Sequence, residues 1–343
     1  MELFKKIPMP DNMEKSEIVD MLLKEEYGYL PPAPISVSAE KVDELENFCA
    51  GKANYIELKL TCKTEKGDFS FPVRYTRRIS AEKSPCIIHI NFRSLTPDRY
   101  EPSEEIVDMG YSVLSFGYQD VTSDDGDFTN GLAGLVYKDG KRNPDDCGKI
   151  GLWAWAAMRV MDYALTLPEI DADHISVCGH SRLGKTALLT GMLDERFYCA
   201  YSNDSGCSGA ALSRENSGET IEVITRVFPF WFCENYLKYA SNEDKLPFDQ
   251  HYLIAANYPH KVYVASAEED AWACPKNEYL SCIAASSYFE NKGVTGFIHP
   301  DRLPQIGDCF HDGNIGYHKR NGTHYFSRED WKNFINYLDS SRR

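Results

Sequence analysis

No stretch of this chain approaches the ~18 consecutive apolar residues that a transmembrane helix needs, so no membrane span is expected. The first residues, Met1-Glu2-Leu3-Phe4-Lys5-Lys6-Ile7-Pro8, lack the apolar core region of a signal peptide. As it stands, the sequence reads as cytoplasmic, or as secreted or periplasmic if a leader has been removed. Basic charge is scarce: 37 Lys and Arg against 52 Asp and Glu leave −15, which argues against the basic face that nucleic acid requires. The eleven cysteines form no Cys-x-x-Cys pair, so neither a zinc site nor a redox motif is indicated. Their odd number and scatter point to free thiols, and Cys86, Cys178 and Cys282 fall inside apolar runs where a thiol packs as a small hydrophobe. There is no internal repeat or low-complexity linker, which makes residues 1–343 a single domain in expectation.

The chain does carry an alternation of strand-like and helical runs. Residues 1–50 read as a mostly helical N-terminal cap, with helical spacing over Lys15 to Glu26, closed by the rigid Leu30-Pro31-Pro32-Ala33-Pro34. Strands are expected at Tyr55–Leu60, Phe69–Tyr75, Cys86–Asn91, Tyr111–Tyr118, His174–Cys178, Cys199–Asn203, Lys261–Ala267 and Thr295–His299. Helices are expected at Leu152–Leu165 and Leu183–Leu193. Strands apolar on both faces, alternating with helices, imply a mostly parallel sheet covered on each side, a three-layer α/β/α sandwich. Aromatics at 13% fit either a carbohydrate-facing surface or simply an aromatic-rich core.

Within that alternation, Gly179-His180-Ser181-Arg182-Leu183-Gly184-Lys185 follows an apolar run and precedes a helical one. A strand turning sharply into a helix at a serine is the construction of a nucleophile elbow. The helix start directs N–H groups towards an anion beside Ser181. The second glycine comes one residue later than in Gly-x-Ser-x-Gly, and Arg182 and Lys185 place two cations where they oppose the helix dipole. That opposition favours a functional reason for them over simple solubility.

A serine needs a base, expected downstream in the order Ser, acid, His. Among nine histidines, His324 sits in Arg320-Asn321-Gly322-Thr323-His324-Tyr325-Phe326, a loop before a helix opened by the capping pair Ser327 and Asp330. His311 and His318 are the next candidates. His180 is expected to point away, because adjacent side chains diverge at such a turn. Two acids remain open: Asp270, after the strand Val262–Ala267, and Asp204, in Asn203-Asp204-Ser205-Gly206. Asp124-Asp125-Gly126-Asp127 lacks the spaced ligands and terminal glutamate of a calcium loop, so it reads as a polar loop on the active-site edge. No metal or cofactor is expected.

Gly-His-Ser-Arg-x-Gly-Lys, with Asn203-Asp204-Ser205-Gly206-Cys207-Ser208-Gly209-Ala210-Ala211-Leu212 after it, resembles the glucuronoyl esterases of carbohydrate esterase family 15, particularly the bacterial branch. The likeness runs from about Ile88 to Leu338. It implies an α/β-hydrolase fold and hydrolysis of the ester joining 4-O-methyl-glucuronate on xylan to a lignin alcohol. It also implies Ser181 as nucleophile, His324 as base, Arg182 at the oxyanion, and Lys185, Glu219 and Trp272 on the sugar. Fungal and many bacterial members of the family carry glutamate, one methylene longer, at the position of Asp204, which shifts the emphasis to Asp270. The expected partner is a glucuronate ester or a glucuronoxylan-derived oligosaccharide; a cytoplasmic member would take imported oligosaccharides or small uronate esters. The alternatives are a carbohydrate acetyl esterase or general carboxylesterase, and a non-catalytic sugar-binding protein.

Overall fold

The computed structural model describes residues 3–340. Its strands are β1 (Ser36–Asn47), β2 (Ala53–Thr64), β3 (Gly67–Arg78), β4 (Ser84–Asn91), β5 (Ser112–Gly117), β6 (Ile170–His180), β7 (Cys199–Asn203), β8 (Lys261–Ala267), β9 (Cys309–Phe310) and β10 (Ile315–Arg320). They form one sheet in the order β1-β2-β3-β5-β4-β6-β7-β8-β10-β9. The segment β1 to β3 is an antiparallel meander that joins β5 antiparallel; β5, β4, β6, β7, β8 and β10 pair in parallel, and β9 closes the edge antiparallel to β10.

Successive side chains of a strand leave opposite faces, and the central strands use both. Ile88, Leu114, Val177, Ala200 and Val264 enter one core, which also holds the helices Lys149–Ala164 and Arg182–Leu193. Ile87, Val113, Cys178, Tyr201 and Tyr263 enter another, closed by the helix Arg328–Ser340 through Trp331, Phe334 and Leu338. The sandwich is therefore three layers of α, β and α, with an α/β-hydrolase topology. Lys149–Ala164 is buried around nearly its whole circumference. At about 1.5–3 kcal/mol per fully buried large apolar side chain, packing outweighs the low helix propensity of its glycine and tryptophans. All eleven cysteines are free. Among the described residues no helix is long and apolar enough to cross a membrane.

Two expectations need correction. The helix Lys15–Leu22 and the wide turn Leu23–Tyr27 lie where helical spacing placed them, but Ser36–Asn47 is a strand and not part of a helical cap. It is an edge strand exposed over most of its length, so it shows no alternating apolar pattern. Thr295–His299 is not a strand, and only Phe297 bridges there, to Ile315. The place beside β8 belongs to Ile315–Arg320, whose Gly316, His318, Lys319 and Arg320 look polar in sequence. His318 and Arg320 can be buried in it because both are paired with Asp330.

Candidate active site

The parallel strands deliver their C-terminal ends to one edge of the sheet. Ser181, directly after β6, has φ 58° and ψ −127°, a strained conformation for a residue with a Cβ. It is held there by its N–H donating to Asn203 O at 2.8 Å, and by its own carbonyl accepting from Gly184 N at 2.8 Å. A Cβ on Gly179 would lie 2.2 Å from the Leu183 carbonyl oxygen, so only glycine permits the turn. The late glycine has its own reason: a Cβ on Gly184 would come within 3.1 Å of the side chains of Ser202, in β7, and Ser205, just beyond it. Leu183, where the more usual glycine would stand, is fully buried in the core.

His324 follows β10 in a loop, and its Nδ1 is 2.6 Å from Oδ2 of the buried Asp270, which follows β8. The loop is anchored just beyond, where Ser327 N donates to Asp330 Oδ2 at 2.7 Å and Asp330 N to Ser327 Oγ at 3.3 Å, a reciprocal capping box. His180 does not point away. Its ring packs 4.4 Å from that of His324, with Nδ1 2.6 Å from Asn203 Oδ1. Burial drives its pKa down to about 3, so it is a neutral wall behind His324. His318 lies within β10 between Tyr263 and Asp330, and His311 contacts the Tyr263 hydroxyl; neither lines the cavity.

Asp204 also approaches His324, since ligating atoms of Asp204, Asp270 and His324 lie within 4.8 Å of one another. Its oxygens are occupied elsewhere, accepting from Ala267 N at 2.8 Å and from an Arg320 guanidinium N–H at 3.2 Å. Burial, with Glu278 and Asp330 nearby, pushes its carboxyl well above the usual range, and Arg320 opposes this. Of the two candidate acids, Asp270 is the one hydrogen-bonded to the histidine, and Asp204 props the strand end beneath.

All eight residues singled out in the sequence line one cavity of about 330 Å³: Ser181, Arg182, Lys185, Asp204, Glu219, Asp270, Trp272 and His324. Lys185 is buried and donates to the carbonyls of Ser205 and Cys207; burial lowers its pKa, while Glu219 resists that shift. Burial raises the Glu219 carboxyl in turn. Glu219 N donates to Trp272 O at 2.9 Å, and a Cβ on Gly218 would meet that oxygen at 2.3 Å. Trp272 is 55% exposed, a flat apolar face at the mouth.

Sequence reasoning missed Phe228 and Trp231, which also line the cavity. The run Phe228-Pro229-Phe230-Trp231-Phe232 was a signal, since so many aromatics in sequence seldom share one core face. It also missed that Asp124 reaches the guanidinium of Arg182.

A serine at a helix N-terminus, an imidazole oriented by a carboxylate, and a sheet with helices on both faces define the α/β-hydrolase class. The model of a family described as "Glucuronyl esterase, fungi" matches residues 58–293. The carbohydrate esterase MZ0003, from an unknown prokaryotic organism, is 40% identical over 238 residues, 69% of this chain and 55% of that protein. A 4-O-methyl-glucuronoyl methylesterase of Podospora anserina is 29% identical over 75% of this chain and 51% of its own length. The solved glucuronoyl esterase of Solibacter usitatus superimposes with a TM-score of 0.88 at 28% identity, covering 96% of this chain and 92% of that one. This chain belongs to the glucuronoyl esterases, carbohydrate esterase family 15. It spans about half the length of the curated relatives it matches.

Proposed function

We propose that this protein is a serine carboxylesterase that hydrolyses esters of glucuronic acid or 4-O-methyl-glucuronic acid by two-step acyl transfer. The observation that carries this reading is the convergence of Ser181 and the His324–Asp270 pair with Lys185, Glu219 and Trp272 in one cavity. An acetyl group needs no such sugar-facing set.

With Asp270 on Nδ1, the other nitrogen of His324 is the one that takes the proton of Ser181 as its oxygen attacks the C6 carbonyl. The oxyanion forms at the start of the helix Arg182–Leu193, where the Arg182 N–H has no partner within its own helix. His324 returns the proton to the departing alcohol, and water then releases glucuronate from the acyl-enzyme. Lys185 commits two of its three donors to carbonyls, which leaves one for a sugar hydroxyl. Glu219 accepts from another, and Trp272 supports the ring's apolar face.

The test is a panel of benzyl and methyl glucuronate against p-nitrophenyl acetate and acetylated xylose, with wild type and Ser181→Ala. Preference for the glucuronates, abolished in Ser181→Ala, supports the reading. Preference for the acetates would instead make the protein an acetyl or general carboxylesterase, and absence of all turnover would favour a sugar-binding protein.

A further inference from the structure

Asp124 lies in the loop after β5, far in sequence from the nucleophile, yet its carboxylate is divided between two groups that line the cavity. Oδ1 accepts the indole N–H of Trp231 at 2.7 Å. Oδ2 accepts from the Arg182 guanidinium and from the Tyr118 hydroxyl, the latter at 2.9 Å. Burial and the neighbouring Asp124 push that hydroxyl up to about 12, so it remains a donor. The guanidinium carbon lies 4.6 Å from the Trp231 ring centre, 5.4 Å from Phe228 and 5.7 Å from Phe92. The Phe228 and Trp231 rings are stacked 3.9 Å apart. The loop is itself tied down, because Lys149 Nζ donates to Thr122 Oγ1 at 2.8 Å and to Asp127 O at 2.6 Å.

A hydrolase that turns a neutral ester into a carboxylate has a particular difficulty with a cation beside the reacting carbonyl. The charge that favours the oxyanion also favours the anionic product, and holding product slows turnover. An arginine paired with a buried carboxylate keeps its directional N–H donors while the local net charge is cancelled. Only a 25% exposed Arg182 side chain and a 9% exposed Asp124 side chain meet here, so water screens the pair incompletely.

We propose that Asp124 is a positioning residue that fixes and neutralises Arg182, so that the site favours the neutral glucuronate ester over its own product, glucuronate. The inference rests on the glucuronate-esterase reading of the same cavity. Its test separates the two on a Ser181→Ala background, where nothing turns over. Calorimetry at pH 7 compares the binding of glucuronate and methyl glucuronate to the parent, to Asp124→Asn and to Asp124→Glu.

Asp124→Asn should bind glucuronate about fivefold tighter, the upper range for one partly exposed charge pair, with the methyl ester changed less than about twofold. Asp124→Glu, which keeps the charge, should return the acid-to-ester ratio to that of the parent. Thermal unfolding checks each variant's fold, and Asp124→Ser supplies a second uncharged side chain where the asparagine does not fold. An unchanged ratio, or equal weakening of both ligands, would show a merely structural aspartate and overturn the proposal. Failure of the parent to bind either ligand would overturn the glucuronate reading itself.

Discussion

On the proposed mechanism, replacing Ser181 by alanine removes the nucleophile, and hydrolysis of benzyl glucuronate should fall to background in a steady-state assay. Arg182→Ala removes the guanidinium but not the backbone N–H, so the expected loss in kcat is about 10²–10³-fold, the usual effect of one oxyanion donor. The two acids should separate. Asp270→Ala leaves the imidazole without its orienting carboxylate, for which a loss of about 10³–10⁴-fold in kcat is expected. Asp204→Ala should cost less activity and more stability, because it empties the acceptor on which Ala267 N and Arg320 converge. Parallel kcat and thermal-melting measurements on the two variants check this, and equal losses from both would point to a shared acid. That Ser181 and His324 would meet at one edge of the sheet was legible from sequence because a strained turn and a capped loop leave local signatures. The choice between Asp204 and Asp270 was not, because it depends on which carboxylate Arg320 claims. Asp124 was read as a polar loop for a similar reason: Arg182 and Trp231, which give it meaning, come much later in the chain.

Among the elements, the elbow is the least tolerant of added bulk. Gly179→Ala would set a methyl group 2.2 Å from the Leu183 carbonyl, and the helix start must shift to admit it. Overpacking of that kind typically costs about 1–3 kcal/mol, so a lower melting temperature together with lost activity is expected. Gly184→Ala, at 3.1 Å from serine side chains, should be milder in both measurements. The buried parallel strands announced themselves as apolar runs. β1 and β10 did not, for opposite reasons: β1 is an edge strand with exposed residues on both faces, while β10 buries polar side chains that a partner on another element neutralises. A hydrophobic pattern registers neither case, since it records what a residue prefers alone and not what its neighbours make affordable.

For the molecule as a whole, two acids beneath the site make stability depend on pH in a direction opposite to the common one. Burial raises Glu26 to about 8 and Glu278 to about 7, from an ordinary value near 4.5. Between 4.5 and those values the folded protein holds protons that the unfolded chain releases, so stability falls as pH rises through that window. The slope per group is at most about 1.4 kcal/mol per pH unit. Urea unfolding at pH 6.5 through 8, above the range in which the buried neutral His180 and His251 give the opposite slope, should show this decline, and Glu26→Gln should flatten it while keeping an acceptor for Gln250, whose side-chain amide donates to both Glu26 oxygens. The overall layering could be read from the sequence because strand and helix periods are local. These buried acids could not, because nothing in a linear pattern marks a glutamate as enclosed.

The position of β10 has a further consequence, for the order in which a ribosome delivers the parts. The Ser181 turn is made before β7 and β8, but β10 takes its place beside β8 only after the long helix Pro275–Asn291 has been made. His324 follows it, and the Asp330 that secures both Arg320 and the His324 loop comes later still, in the helix Arg328–Ser340. A nascent chain therefore carries the strained Ser181 without His324 while everything between the two is being made. The cavity that Ser181 and His324 share is complete only once the helix Arg328–Ser340 has docked.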